Sequence, residues 1–197
     1  MNAPFANEPT GRIGVYPGSF NPPTVAHLAL SEAARDQHDL DRVAWSISRT
    51  ALAKETVDHP AFEHRLEVLH EVAADVSWLE IVVTEAQLLV DIADGFDLLI
   101  MGADKWAQIN EVHWYGNEVA RDLAIEALPD VAIAPRPPHD VPASLLLRTD
   151  ERHHHVSSSK ARDGELDLML PPARSFAERS GAWLDPASYD RWVRQQP

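Results

Sequence analysis

Residues 14–30 read GVYPGSFNPPTVAHLAL, and this stretch decides the fold of the chain. A mostly apolar segment, residues 12–16, leads into a turn of Gly, Asn and Pro, and an Ala- and Leu-rich segment typical of a helix follows. A Gly-containing loop then lies between a buried strand and a helix N-terminus, where free N–H groups and the helix dipole favour a phosphate. The spacing alone fits a phosphate site or an ordinary strand–turn–helix unit equally well.

Three residues of this stretch have chemistry that suits a phosphate. Gly18 has no Cβ, so the backbone there can approach a ligand closely. Thr24 is a good N-cap residue, and His27 then falls in the first helical turn, where it would face an anion held by the helix end.

A second segment, residues 155–162, reads HVSSSKAR and repeats this logic far along the chain. Ser side chains and free N–H groups at a helix start, with Arg162 about one turn in, suit the β- and γ-phosphates of a nucleotide. A Ser-rich N-cap followed by an exposed basic residue is the alternative interpretation.

The two segments together resemble a known superfamily. GSFNPPTVAH is similar to the T-x-x-H form of the nucleotidyltransferase signature, and HVSSSKAR is similar to its I-S-S-T-x-x-R motif, in which a strand ends and a helix begins. The resemblance implies catalytic roles for His27 and Arg162. It also implies ATP and phosphate contacts at Gly18, Ser19, Phe20, Thr24, Ser157, Ser158 and Ser159. Similar enzymes carry an Arg after the strand predicted at 131–134, which implies a phosphate contact at Arg136, and a plain surface Arg is an equal alternative. Whether Thr24, which replaces the commoner His, binds phosphate or only caps the helix is left open.

The middle of the chain resembles the bacterial nicotinate-mononucleotide adenylyltransferases within this superfamily. Lys54 precedes FEHRLEVL at residues 62–69, and GAD at 102–104 is followed by HWY at 113–115. The resemblance implies that Lys54, Asp104 and Trp114 bind the mononucleotide, with the Trp114 indole against the pyridine ring. An ordinary core position for Trp114 is an equal alternative.

The implied reaction is the transfer of AMP from ATP to nicotinate or nicotinamide mononucleotide in NAD biosynthesis, with Mg²⁺ held mainly by the substrate phosphates. The choice between the two acceptors is left open. The alternatives are a transferase that acts on phosphopantetheine or uses CTP, and a non-catalytic nucleotide-binding protein.

Composition narrows the class further. The chain has 197 residues, no Cys and a formal net charge of −14. The charge argues against a nucleic-acid partner, and no apolar run is long enough to span a membrane. We therefore expect a cytoplasmic enzyme, and the superfamily resemblance allows a homo-oligomer.

Apolar patterns predict strands at residues 12–16, 42–47, 78–83, 97–101 and 131–134, and helices at 25–36, 62–74, 87–93, 117–128 and 186–194. This alternation predicts an α/β fold, a Rossmann-like doubly wound parallel sheet with a short C-terminal appendage. We expect a disordered lead-in at 1–10, a nucleotidyltransferase domain at 11–163 and a C-terminal segment packed on it at 164–197. The run His153-His154-His155 does not favour a metal site, because neighbours on a predicted strand point to alternate sides.

Overall fold

The computed structural model describes residues 11–49 and 59–196. Five parallel strands form one sheet, and in chain order they are β1 Ile13–Pro17, β2 Arg42–Ser48, β3 Leu79–Thr84, β4 Leu98–Gly102 and β5 Asp130–Ala134. Their order across the sheet is β3-β2-β1-β4-β5. The predicted Rossmann-like α/β fold is confirmed. Lys54 and the predicted lead-in at 1–10 lie outside the described residues.

The helices of the described residues are α1 Val25–Gln37, α2 Phe62–Ala74, α3 Leu89–Ala93, α4 Ala103–Ile109, α5 Glu118–Glu126, α6 Ser158–Arg162, α7 Pro171–Ser180 and α8 Pro186–Val193. The predicted helix at 62–74 has the bounds of α2, because its apolar residues recur at helical spacing and pack on the sheet. None of the helices in the described ranges is long and apolar enough to cross a membrane.

Helices cover both faces of the sheet. Val15 of β1 packs in one buried cluster with Ile109 of α4, while its neighbour Tyr16 packs in another with Ala34 of α1 and Leu69 of α2. Successive residues of a strand point to opposite faces, so β1 is buried from both sides. This accounts for the nearly continuous apolar sequence of the strand.

One sequence expectation is wrong: no strand precedes the Ser-rich motif. Glu151–His153 forms a 3₁₀ turn, and the Asp150 carboxylate accepts the Arg152 N–H at 3.0 Å. The edge of β5 is filled instead by residues 145–147, since the N–H of Ile133 donates to the Leu145 carbonyl at 2.7 Å. The argument against a metal site at residues 153–155 assumed a strand whose side chains point to alternate sides, and it therefore does not apply.

Helices α7 and α8 form the C-terminal part of the described chain. They share a third buried cluster with Val68 of α2, in which Phe176, Trp183 and Tyr189 pack together. Two prolines open α7 at its first helical positions, where a missing N–H leaves no hydrogen bond unmade. The segment thus lies against α2 and, through Trp183, close to the turn that follows β1.

Candidate active site

The topology places two loops side by side at one edge of the sheet. β1 and β4 are neighbours at the centre of the sheet, and the chain leaves each of them in opposite directions to reach β2 and β5. The carboxyl ends of the strands at such a switch point form the usual ligand crevice of an open α/β sheet. β1 ends at Pro17 and β4 ends at Gly102, so the turn at residues 18–23 and the start of α4 face each other there.

The turn at 18–23, which we call the signature turn, has an unusual backbone. Phe20 has a φ of +43°, in the left-handed region that a bulky residue rarely adopts. Its ring is 1 % exposed and stacks on Trp45 with 4.7 Å between centroids. A Cβ on Gly18 would lie 3.0 Å from this ring, so glycine there leaves room for the ring to fold back. The Phe20 side chain is therefore a core residue, and the main chain is what this residue offers to a ligand.

The carbonyl groups of the signature turn accept hydrogen bonds from distant side chains. Arg65 donates to the Ser19 carbonyl at 3.1 Å, Ser158 donates to that of Pro22 at 2.8 Å, and Arg162 donates to that of Asn21. Within the described ranges, the N–H groups of Ser19 and Phe20 have no hydrogen-bond partner. Three carbonyls of the turn are thus occupied by protein side chains, while two of its N–H groups are free, which suits an anion.

Thr24 and His27 form a reciprocal pair at the start of α1. The Thr24 N–H donates to Nδ1 of His27 at 2.9 Å, and the Thr24 hydroxyl lies 2.9 Å from the same atom. Because Nδ1 accepts, a neutral imidazole carries its hydrogen on Nε2. Burial, and secondarily the positive charge of Arg136, lower the pKa of His27 to about 4. His27 is therefore a neutral hydrogen-bond donor at physiological pH.

The second predicted motif meets the first. Arg162 extends from α6 to the carbonyl of Asn21, and its other terminal nitrogen donates to the Ser159 hydroxyl at 3.1 Å. The Ser157 hydroxyl accepts the Lys160 N–H at 3.2 Å as the N-cap of α6. The Ser hydroxyls and the Lys160 N–H are thus engaged with protein groups, so the N–H groups of Ser158 and Ser159 are what this motif has left for a phosphate.

Arg136 and Asp104 pair across the same crevice. Arg136 lies 3.2 Å from the Asp104 carboxylate and donates to the Val156 carbonyl, also at 3.2 Å. Both side chains are half exposed. The pair therefore joins the ends of β4 and β5 to the segment that leads into α6.

These groups line one cleft of about 330 Å³. The sequence-predicted residues that border it are Gly18, Ser19, Phe20, Thr24, His27, Asp104, Arg136, Ser157, Ser158, Ser159 and Arg162. Two helix starts that are more than 130 residues apart in the sequence thus converge on one space.

Trp114 does not border this cleft. It lines a smaller neighbouring pocket of about 60 Å³, and its buried Nε1 atom has no hydrogen-bond partner. The His113 ring lies against it with 4.3 Å between centroids. Lys105 of α4 borders both the cleft and this pocket, so the two spaces adjoin.

Sequence reasoning missed Lys105, His153 and His154, which all border the cleft. Burial and the neighbouring Arg152 lower the pKa of His153, and its Nδ1 is buried without a partner. Lys105 directly follows the GAD segment, and this position in the sequence could have identified it as a site residue. No sequence pattern indicated His153 or His154, because the short 3₁₀ turn that brings them to the cleft has no hydrophobic periodicity.

Comparison with known proteins identifies the family. The cytidylyltransferase-like family model matches residues 15–164, so the chain belongs to that family. This confirms the superfamily indicated by the two motifs.

Curated relatives of the chain carry the name probable nicotinate-nucleotide adenylyltransferase. The protein from Bradyrhizobium sp. is 33 % identical over 142 residues, which is 64 % of this chain and 68 % of the relative. The protein from Salinibacter ruber is 46 % identical over 54 residues, and this match spans 27 % of the chain and 28 % of the relative.

Among solved structures, the fold is similar to that of the nicotinic acid mononucleotide adenylyltransferase of Plasmodium falciparum complexed with APC. The TM-score is 0.62 at 15 % sequence identity, and the alignment covers 88 % of this chain and 98 % of that one. At this identity the likeness concerns the fold.

Proposed function

We propose that the protein transfers the AMP moiety of ATP to nicotinate mononucleotide and releases pyrophosphate. The observation that carries the proposal is that His27 and Arg162, from two separate helix starts, border one cleft together with the free N–H groups of the signature turn. The names of the curated relatives favour nicotinate mononucleotide as the acceptor.

In the proposed reaction, a phosphate oxygen of the mononucleotide forms a bond to the α-phosphorus of ATP. The bond between that phosphorus and the oxygen that bridges to the β-phosphorus breaks, and its electron pair leaves with pyrophosphate. A phosphate monoester is already an anionic nucleophile, so no general base is needed. The protein's contribution is alignment and stabilisation of charge.

The residues of the cleft suit these tasks. The Nε2–H of His27 would donate to an oxygen of the α-phosphate, where negative charge builds up as the bonds exchange. Arg162 and the N–H groups of Ser158 and Ser159 would hold the departing pyrophosphate. Arg136, which also borders the cleft, would add positive charge there.

Mg²⁺ would be carried by the phosphates. Within the described residues no group of three His, Asp or Glu side chains is arranged to hold a metal ion, and the Asp104 carboxylate is paired with Arg136. When bound, Mg²⁺ would be held by the substrate phosphates and water, and it would reduce the repulsion among the phosphate charges.

The mononucleotide would occupy the space that runs from Asp104 to the Trp114 pocket, with Lys105 between them. A cationic pyridine ring is attracted to an indole face, and the unpartnered Trp114 N–H is free to bond a polar group of the ligand. Lys54 remains a proposed contact of the mononucleotide.

A substrate panel tests the proposal. Pyrophosphate release is measured with ATP or CTP as donor and with nicotinate mononucleotide, nicotinamide mononucleotide or phosphopantetheine as acceptor. We expect the highest kcat/KM with ATP and nicotinate mononucleotide. A preference for phosphopantetheine or for CTP would replace the proposed substrate pair, and no release with any pair would favour a non-catalytic nucleotide-binding protein.

A further inference from the structure

Asn21 of the signature turn accepts a hydrogen bond from the C-terminal part of the chain. The indole N–H of Trp183 donates to the side-chain oxygen of Asn21 at 2.5 Å, across 162 positions of sequence. Trp183 is 8 % exposed and Asn21 is 9 % exposed. A buried amide oxygen without a donor is unfavourable, so Asn21 keeps its orientation as long as the indole is in place.

The backbone that presents Trp183 is itself constrained. Trp183 has a φ of +66°, in the left-handed region that side chains rarely adopt, and it lies in the short segment that joins α7 to α8. Its ring packs edge-on against Phe176 with 5.7 Å between centroids. A conformation that costs free energy is retained where the surrounding packing determines it, and here it aims the indole at the signature turn.

Asn21 also joins this contact to the proposed phosphate-binding groups. Its side chain accepts from Trp183, while its main-chain carbonyl accepts from Arg162. Its neighbour Phe20 contributes one of the free N–H groups of the turn. A shift of Asn21 would therefore move both the Arg162 guanidinium and the N–H groups that face the cleft.

We propose that Trp183 is a positioning residue for ATP, which acts through Asn21 to hold the signature turn and Arg162 ready for the triphosphate. The kinetic test of this positioning role rests on the proposed function, because it measures AMP transfer from ATP. The positioning role gives the C-terminal segment a part in the site, although none of residues 165–196 borders the cleft.

The test compares Trp183→Phe with Trp192→Phe. Both variants lose an indole in the same C-terminal cluster, but only Trp183 bonds to the signature turn among the described contacts. For Trp183→Phe we expect kcat/KM for ATP to fall about 5-fold, the value of roughly one hydrogen bond, with KM for the mononucleotide unchanged. Trp192→Phe should leave both parameters within 2-fold of the wild type, by the same estimate for a residue without that bond.

A double-mutant cycle shows whether Trp183 acts through Asn21. In an Asn21→Ala background, Trp183→Phe should have no further effect on kcat/KM for ATP, since the acceptor is already gone. If Trp183→Phe lowers kcat/KM for ATP as much in the Asn21→Ala background as in the wild type, the proposal is overturned. Equal effects of Trp183→Phe and Trp192→Phe on kcat/KM for ATP would also overturn it.

Binding of α,β-methylene ATP, measured by calorimetry, separates this proposal from the proposed function. Trp183→Phe should raise the dissociation constant by about the same factor as it lowers kcat/KM, because the bond is lost in both measurements. If the wild type binds this analogue but transfers no AMP from ATP itself, the proposed function fails and the positioning role is still decided by affinity. Equal affinities of wild type and Trp183→Phe, or no binding by the wild type, would overturn the positioning role.

Discussion

Thr24 bonds to Nδ1 of His27 from two sides, through its N–H and its hydroxyl, each at 2.9 Å. The Thr24 side chain is 1 % exposed, which leaves the hydroxyl little access to a ligand. This favours one answer to the question that the sequence left open: Thr24 orients the imidazole that meets the phosphate. The Glu or Gln that usually closes a capping box is here a His, whose second nitrogen remains free to donate.

Substitution of Thr24 tests this orientation. Thr24→Val keeps the shape and the N–H but removes the hydroxyl, so we expect kcat to fall about 5-fold with little change in KM for ATP. Thr24→Ser keeps the hydroxyl and should retain most of the turnover. A large rise in KM for ATP in Thr24→Val would instead indicate direct phosphate binding by the hydroxyl.

The pKa of His27 predicts a pH-dependent stability. Its pKa is about 4 in the folded protein and ordinarily 6.5, so the unfolded chain takes up the proton first as pH falls. The free energy of unfolding therefore decreases from pH 6.5 towards pH 4, and above pH 6.5 His27 has no such effect.

Urea unfolding of wild type and His27→Gln at pH 7 and pH 5 measures this effect. Gln can still close the capping box but does not titrate. We expect the wild type to lose about 1 kcal/mol more than the variant between the two pH values, allowing for the partial exposure of the ring. Equal losses would show that His27 is protonated as readily when folded as when unfolded.

Trp114 and Trp106 provide a matched pair for the mononucleotide pocket. Trp114 lines this pocket, whereas Trp106 packs against the buried cluster beside β4. Trp114→Phe should raise KM for nicotinate mononucleotide by about 3- to 10-fold, the value of a weakened ring contact and a lost N–H donor, without changing KM for ATP.

Trp106→Phe should instead lower the free energy of unfolding by about 1 kcal/mol, as expected for a smaller side chain in a packed cluster, with both KM values near normal. A mononucleotide KM that responds to Trp106→Phe and not to Trp114→Phe would exchange the roles of the two residues.

Local patterns in the sequence predicted much of the fold. The predicted strands and the helices α1, α2, α3, α5 and α8 agree with the structure to within about two residues, since period-2 and period-3.6 patterns of apolar residues report which face is buried. Helix α4 was missed because it begins within the GAD motif, and α7 because its Pro-Pro start looks like a loop.

The site was predictable where a motif carries it and unpredictable where distant contacts build it. The convergence of His27 and Arg162 on one cleft followed from the two motifs. The Trp183–Asn21 bond did not, because a buried Trp has no pattern that names its partner 162 residues away. The separation of Trp114 from the main cleft was hidden for the same reason.

Pyrophosphate release from ATP and nicotinate mononucleotide by the wild type and by His27→Ala tests the central claim most directly. We predict robust release by the wild type and a kcat lower by about 10²-fold or more in His27→Ala, at a similar melting temperature. Near-normal turnover by His27→Ala would contradict the role of this imidazole at the α-phosphate.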